Sequence, residues 1–219
     1  MGLILIAKIF IARVIFRIKV AMDSMFPGTP GKDIGDLCYI RAYYPLLAKS
    51  LQQFNRKGIK AIEFGGSNKK LLDFLPEVDY EIAPNYPEVD IQELKQYPDN
   101  CYDLVLLDQI LEHVEDPFKA VEEIRRILKP GGTLVAAVPF LFYIHPTPDD
   151  FWRFTESGIR KLCEKFSGVD VNAWGNRVAM NIINRYGYPI TVRQAKAMLG
   201  FSYRNEKNFP MIYWFLAQK

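Results

Sequence analysis

Apolar residues in this chain fall into short continuous runs, separated by stretches in which they recur every three or four positions. The runs Ile59–Phe64, Val78–Ile82, Tyr102–Leu107 and Thr133–Val138 read as strands, and Val169–Trp174 and Pro210–Ala217 as two more near the C-terminus. Between them the helical period predicts Tyr39–Arg56, with Leu46, Leu47, Leu51 and Phe54 on one face, then Lys69–Leu75 behind a Ser67 N-cap. Further helices are expected at Phe118–Leu128, ended by Pro130-Gly131-Gly132, and from a Thr155 N-cap through Glu164. Strands that are apolar throughout and alternate with helices indicate a parallel sheet covered on both faces. Ligands of such sheets bind beyond the carboxyl ends of the strands. Functional residues are therefore expected just after Phe64, Ile82, Leu107 and Val138.

The N-terminus follows a different pattern. Residues 3–22, LILIAKIFIARVIFRIKVAM, are the most apolar stretch, yet basic groups fall inside it and no cleavage site follows, which argues against a signal peptide. The longest uncharged run is Met1–Ala7, too short to cross a bilayer. As a helix, the segment has a broad apolar arc bordered by Lys8 and Lys19 on one side and Arg13 and Arg17 on the other. That suits a helix lying in an anionic membrane surface, its basic side chains reaching the headgroups. It also suits packing against the domain or a second copy in a homodimer, and a strand is a third possibility. Met22–Asp36, rich in Pro and Gly, is a linker.

Composition narrows the class. The chain has 219 residues, 49% hydrophobic and 24% charged, which excludes a disordered or collagen-like chain. A net charge of +3 hides an asymmetry: residues 1–20 carry four basic groups and no acid, residues 172–219 seven and one, and the middle a net of −7. A uniformly basic nucleic-acid binder has no such acidic body. Three scattered cysteines, Cys38, Cys101 and Cys163, read as reduced thiols of a cytoplasmic protein. With two histidines and no CxxC, no metal centre is expected.

The expected strand ends carry chemistry. Glu63 and the Gly65-Gly66-Ser67 turn end the first strand. Glu81 ends the second, where a carboxylate can accept two hydrogen bonds from a ribose diol. Asp90 follows nine residues later, and Asp108-Gln109 ends the next strand. IEFGG (62–66), YEIAP (80–84), VDIQEL (89–94), PDNCYDLVLLDQILEHVEDP (98–117), EEIRRILKPGGTLVAAVP (122–139) and DDFWRFT (149–155), taken in order, resemble class I S-adenosylmethionine-dependent methyltransferases, of the type 11-like kind.

The resemblance covers about half the chain and implies a Rossmann-like α/β fold: a mostly parallel seven-stranded sheet, the last strand antiparallel, with helices on both faces. It implies S-adenosyl-L-methionine as cofactor, with Gly65, Gly66 and Ser67 beside its amino-acid part and Glu81 on the ribose. Asp90 is then near the adenine, Asp108, Gln109 and His113 line the cofactor, and Glu63 orders the turn. In the domain reading, 1–36 are the apolar basic helix and linker, and 37–219 the methyltransferase domain, with 177–209 inserted before the last strand.

Two departures from the family pattern stand out. Ser67 and Lys69 occupy positions where the family has glycine. Glu81 and Asp90 are too close for a crossover helix, so Ile82–Val89, with Pro84 and Pro87, is expected to be a loop.

A sulfonium methyl group is already activated, so alignment and desolvation carry most of the catalysis and no nucleophile triad is needed. The candidate acceptor wall is Phe140–Thr155, FLFYIHPTPDDFWRFT. Within it His145 is the candidate general base, oriented by Asp149 or Asp150. The competing reading has these groups ordering the loop, with Asp150 paired to Arg153. The expected function is methyl transfer to a small molecule or a glycan or lipid intermediate by a cytoplasmic protein, peripheral to the membrane where residues 3–22 lie in its surface. The alternative is a degenerate methyltransferase fold acting as a membrane-associated scaffold.

Overall fold

A computed structural model describes residues 43–65, 71, 74–145, 149–186 and 205–219. The expectations for residues 1–42, for Gly66, Ser67 and Lys69, and for 187–204 lie outside the described residues. So does most of the expected helix Lys69–Leu75.

Six strands form one sheet: β1 (Lys60–Phe64), β2 (Asp79–Ile82), β3 (Tyr102–Asp108), β4 (Leu128–Pro139), β5 (Gly168–Trp174) and β6 (Ile212–Gln218), in the order β2-β1-β3-β4-β6-β5. The pairs β1–β2, β1–β3 and β3–β4 are parallel, while β6 runs antiparallel to both β4 and β5. The antiparallel last strand is as expected. A seventh strand is absent among the described residues, because the chain between Ile82 and Tyr102 runs in turns without helix or strand. Pro84 and Pro87 remove two backbone donors there, and the connection is too short for a crossover helix and a further edge strand.

Alternation along the strands sorts the core into two layers. Ile62, Phe64, Val105, Leu107, Leu134, Ala136, Val138 and Phe215 face α2 (Pro117–Ile127) and α3 (Glu156–Leu162), meeting Ala120, Val121, Ile124, Ile127, Ile159 and Leu162. Ala61, Leu104, Leu106, Val135, Ala137 and Trp214 face the other way, onto Tyr43 and onto Tyr44, Leu47 and Leu51 of α1 (Tyr44–Leu51). A strand interior on both sides is the reason its sequence reads as an unbroken apolar run.

The caps explain where the helices begin. Asp116 accepts from the N–H groups of Phe118 and Lys119, both at 3.1 Å, with Pro117 at the first helical position of α2. Thr155 Oγ1 accepts from Gly158 N at 3.1 Å and starts α3 as expected. On α2, Arg126 donates to the carbonyls of Leu94 (2.8 Å) and Tyr97 (2.9 Å), and Glu123 accepts from Leu94 N (2.9 Å). These bonds hold down the segment that stands where a crossover helix is missing.

A further expectation needs correction. Pro130-Gly131-Gly132 does not separate α2 from the next strand, because β4 begins at Leu128 and runs through it. Gly131 donates to the Lys219 carbonyl (3.1 Å) and Lys219 N to Gly132 (2.9 Å), so pairing continues with the end of the chain. The register against β3 shifts between Tyr102 and Leu104, which accommodates the extra residues as a bulge. Within the segment expected as an insertion, 177–209, the described residues begin with a helix, α4 (Arg177–Tyr186), whose Ala179 is buried against the α1 face of the sheet.

Candidate active site

Strand order places the carboxyl ends of β2, β1, β3 and β4 side by side. At the end of β1, Glu63 is buried and accepts from the Tyr80 hydroxyl. Gly65 follows with φ +72°, and a Cβ there would stand 2.0 Å from Cδ1 of Ile110. A glycine is required on both counts, backbone conformation and space. On the neighbouring edge strand, Glu81 is exposed and accepts from the Tyr102 hydroxyl at 2.7 Å. Asp90 accepts from Gln92 N at 2.8 Å in an Asx turn, and Gln92 Oε1 in turn accepts from Asp116 N at 2.9 Å. Asp90 is thereby fixed beside the start of α2.

The end of β3 is more elaborate. The Asp108 carboxylate accepts from the Tyr43 hydroxyl at 2.6 Å and from the Tyr44 hydroxyl. Gln109 follows with φ +60°, a conformation costly for any residue but glycine. It is held there by its N–H to the Ala137 carbonyl at 2.9 Å. A turn of 3₁₀ helix, Leu111–His113, comes next. Its middle residue, Glu112, is fully buried, and among the described residues neither carboxylate oxygen has a hydrogen bond of good geometry, its own backbone N–H being the near donor. Burial pushes the Glu112 carboxyl up to about 8, opposed by its own backbone N–H and reinforced by the nearby Asp108 charge.

His113 Nδ1 lies 2.8 Å from the Asp149 carbonyl oxygen. A carbonyl only accepts, so this nitrogen carries a proton, and in the neutral ring Nε2 is the lone-pair nitrogen. His145, just beyond β4, packs against His113 with ring centroids 5.0 Å apart and the planes tilted by 32°. Its Nδ1 and its backbone N–H lie 2.8 and 2.9 Å from Asp150 Oδ2. Arg153 also grips Asp150, with Nη2 at 2.6 Å from Oδ2, and holds that carboxyl well below the usual carboxylate range. An ionised Asp150 is an acceptor, which fixes the proton of His145 on Nδ1 as well. Burial lowers the His145 imidazole below its ordinary value, overriding the pull of Asp150 the other way. The ring is therefore neutral near pH 7, with Nε2 able to take a proton.

Residues 61–136 match the family model of the methyltransferase domain. The match runs from β1 into β4, about a third of the chain. Of the curated relatives, an uncharacterised 37.1 kDa protein of transposon Tn4556 from Streptomyces fradiae is 41% identical over 121 residues, 54% of this chain and 32% of its own. A ubiquinone/menaquinone biosynthesis C-methyltransferase of Hydrogenovibrio crunogenus is 51% identical over 43 residues, 20% of this chain and 17% of its own. The chain thus spans about a third or less of the length of these relatives. Among solved structures, the Burkholderia thailandensis 1,6-didemethyltoxoflavin-N1-methyltransferase, bound to that compound and S-adenosylhomocysteine, superposes with a TM-score of 0.54 at 14% identity. That match covers 81% of this chain and 78% of the other, and it shows a shared fold.

The methyltransferase domain brings together Glu63, Gly65, Asp108, Gln109 and His113 on the adjoining ends of β1 and β3, with Glu81 and Asp90 on the β2 side. Gly66 and Ser67 lie outside the described residues. The space a Gly65 side chain would need is filled by Ile110, so this glycine lets the turn after β1 pack closely on the segment after β3. Glu81 has one oxygen taken by Tyr102, and both oxygens of Asp90 are met by Gln92, while Glu81 is exposed and Asp90 half-buried. Of the two acids offered as partner to His145, Asp150 makes the contact, and Asp149 acts through its carbonyl on His113 instead. The competing expectation, an Asp150–Arg153 pair, is present in the same carboxylate, so the two readings coexist.

Sequence reasoning did not reach Tyr43, Tyr44 or Glu112. The first two are 65 and 64 residues from Asp108, beyond any local pattern. Glu112 left a usable trace, an acid one position before His113 in a segment whose burial the flanking Leu111 and Val114 foreshadow.

Proposed function

We propose that this chain transfers a methyl group from S-adenosylmethionine to a small-molecule acceptor bearing an ionisable hydroxyl or amine. The observation that carries the proposal is continuity. Gly65 touches Ile110, the Ile110 carbonyl accepts from His113 N at 3.0 Å, and the His113 ring packs against that of His145, so the expected cofactor turn and the candidate base share one edge. Bound S-adenosylmethionine supplies a methyl group already activated on a sulfonium.

The chain's own residues do the rest. Glu81 and Asp90 hold the nucleoside part, and Gly65, Gly66 and Ser67 the amino-acid part. Asp108, Gln109 and His113 form the wall between, and Glu63 orders the turn. His145 Nε2 would take the acceptor's proton, while the cofactor would give up its methyl group by breaking the sulfur–methyl bond and leave as the thioether S-adenosylhomocysteine. Asp150 keeps the ring oriented and stabilises the imidazolium that results. Exposed Tyr143, Ile144, Phe151 and Trp152 border this edge and suit an acceptor with an apolar or ring-shaped portion, including a glycan or lipid intermediate. A contact of residues 3–22 with an anionic membrane or a second copy would bring such an acceptor near. No helix among the described residues is long and apolar enough to cross a membrane.

The test is transfer of labelled methyl from the cofactor into a panel of phenols, amines, sugars and lipid intermediates. Transfer to one class, lost in His145→Ala, supports the reading. A scaffold lacking activity gives no transfer to any of them at any pH.

A further inference from the structure

We propose that Glu112, His113 and His145 form a binding site for one divalent transition-metal ion, such as zinc or cobalt. Two histidines in the whole chain gave little reason to expect a metal centre, but the fold puts both in one place. One ligand atom from each of the three side chains lies within 4.8 Å of the other two. Around a tetrahedral ion with bonds near 2.1 Å, ligand atoms stand about 3.4 Å apart. Side-chain rotation closes that difference.

Three independent features point to an ion. Both imidazoles give their Nδ1 proton to an oxygen, the Asp149 carbonyl and the Asp150 carboxylate, which leaves Nε2 as a lone-pair donor on each ring. A carboxylate or carbonyl behind the ring is the arrangement that orients metal-binding histidines and raises their basicity. Glu112 is fully buried with neither oxygen in a hydrogen bond of good geometry, and its Oε1 lies 3.8 Å from His113 Nε2. A buried carboxylate without a well-placed donor is costly, and a cation is a partner that removes the cost. The charges around Glu112 favour a cation, Asp108 and Asp150 against Arg153, and an ion binding there would displace the Glu112 proton. Two imidazoles and one carboxylate suit borderline transition ions better than magnesium or calcium.

The site goes beyond the proposed methyl transfer, and its consequence rests on that reading. An ion on His145 Nε2 occupies the lone pair that would take the acceptor's proton. Occupancy therefore switches the base off, and the ion acts as a reversible brake.

The experiment titrates the full chain with cobalt(II) and follows visible absorption, then displaces cobalt with zinc. One equivalent of cobalt should bind with d–d bands of a nitrogen and oxygen environment. His113→Gln and His145→Gln should each remove those bands, and Asp150→Asn, behind the ligand, should weaken binding roughly 10–100-fold. His113 and His145 are partly exposed, so these variants keep the fold even where Glu112→Gln does not. A sulfur-to-cobalt charge-transfer band, which would place the ion on a cysteine, overturns the site. So do an absence of d–d bands or binding unchanged in His113→Gln. A separate titration with S-adenosylhomocysteine keeps the two readings distinct: cobalt binding without cofactor binding overturns the methyltransferase reading alone, and the reverse overturns the metal site alone.

Discussion

Gly65→Ala is the substitution whose cost can be worked most fully from the geometry. The residue has φ +72°, and holding a non-glycine residue there costs about 1–2 kcal/mol. The added methyl would also stand 2.0 Å from Ile110 Cδ1 and 2.9 Å from Cγ1. These atoms end a side chain and can turn aside, at about 0.5–1.5 kcal/mol for leaving a preferred rotamer. Together the two effects predict a loss of about 2–3 kcal/mol. Urea unfolding followed by fluorescence of the buried Trp174 and Trp214 measures it. A double-mutant cycle with Ile110→Ala separates the parts. The steric share, about 1 kcal/mol, should vanish in the double variant, while the backbone share persists. Strict additivity of the two substitutions, or a Gly65→Ala protein as stable as wild type, would refute the reasoning. The same variant should bind S-adenosylhomocysteine more weakly, since the displaced turn is where the ligand approaches.

Other predictions concern the cap, the tyrosines and the base. Asp116→Ala should lower stability by about 1 kcal/mol in the same unfolding assay, with Asp116→Asn close to wild type. Tyr44→Phe removes one donor from the Asp108 carboxylate and should cost about 1.5 kcal/mol, together with cofactor affinity measured by calorimetry. His145→Ala should lower kcat by roughly 10²–10⁴-fold once an acceptor is known. Because the folded-state imidazole is shifted down, His145 stays neutral above its ordinary value of about 6.5, and the acid limb of kcat/KM should lie below that pH. Asp150→Asn removes the charge that favours the imidazolium and should move the limb lower still. An acid limb above pH 6.5 contradicts the assignment.

The strands were legible because burial on both faces writes an unbroken apolar run, as in KAIEF and YDLVLLD. The start of β4 was not, since Pro130-Gly131-Gly132 is a local stop signal. Pairing with a chain end 87 residues away, seen also in the Gln218 side chain bonding to Gly131, overrides that signal. The site shows the same division. His145 and Asp150 are five residues apart and were paired from sequence, as was Gly65 from its turn. The Tyr43 and Tyr44 bonds to Asp108, the contact between His113 and His145, and the burial of Glu112 arise only when separate strand ends are brought to one edge. Asp149 shows how little a residue type alone decides: its backbone, not its carboxylate, touches a histidine.

Binding of the cofactor itself tests the central claim most directly. Isothermal titration of the full chain with S-adenosylmethionine and S-adenosylhomocysteine should show one site for each, and Glu81→Ala should abolish most of the binding. No heat of binding at millimolar cofactor would contradict the assignment of this edge as a methyl-transfer site, and unchanged affinity in Glu81→Ala would contradict the ribose contact.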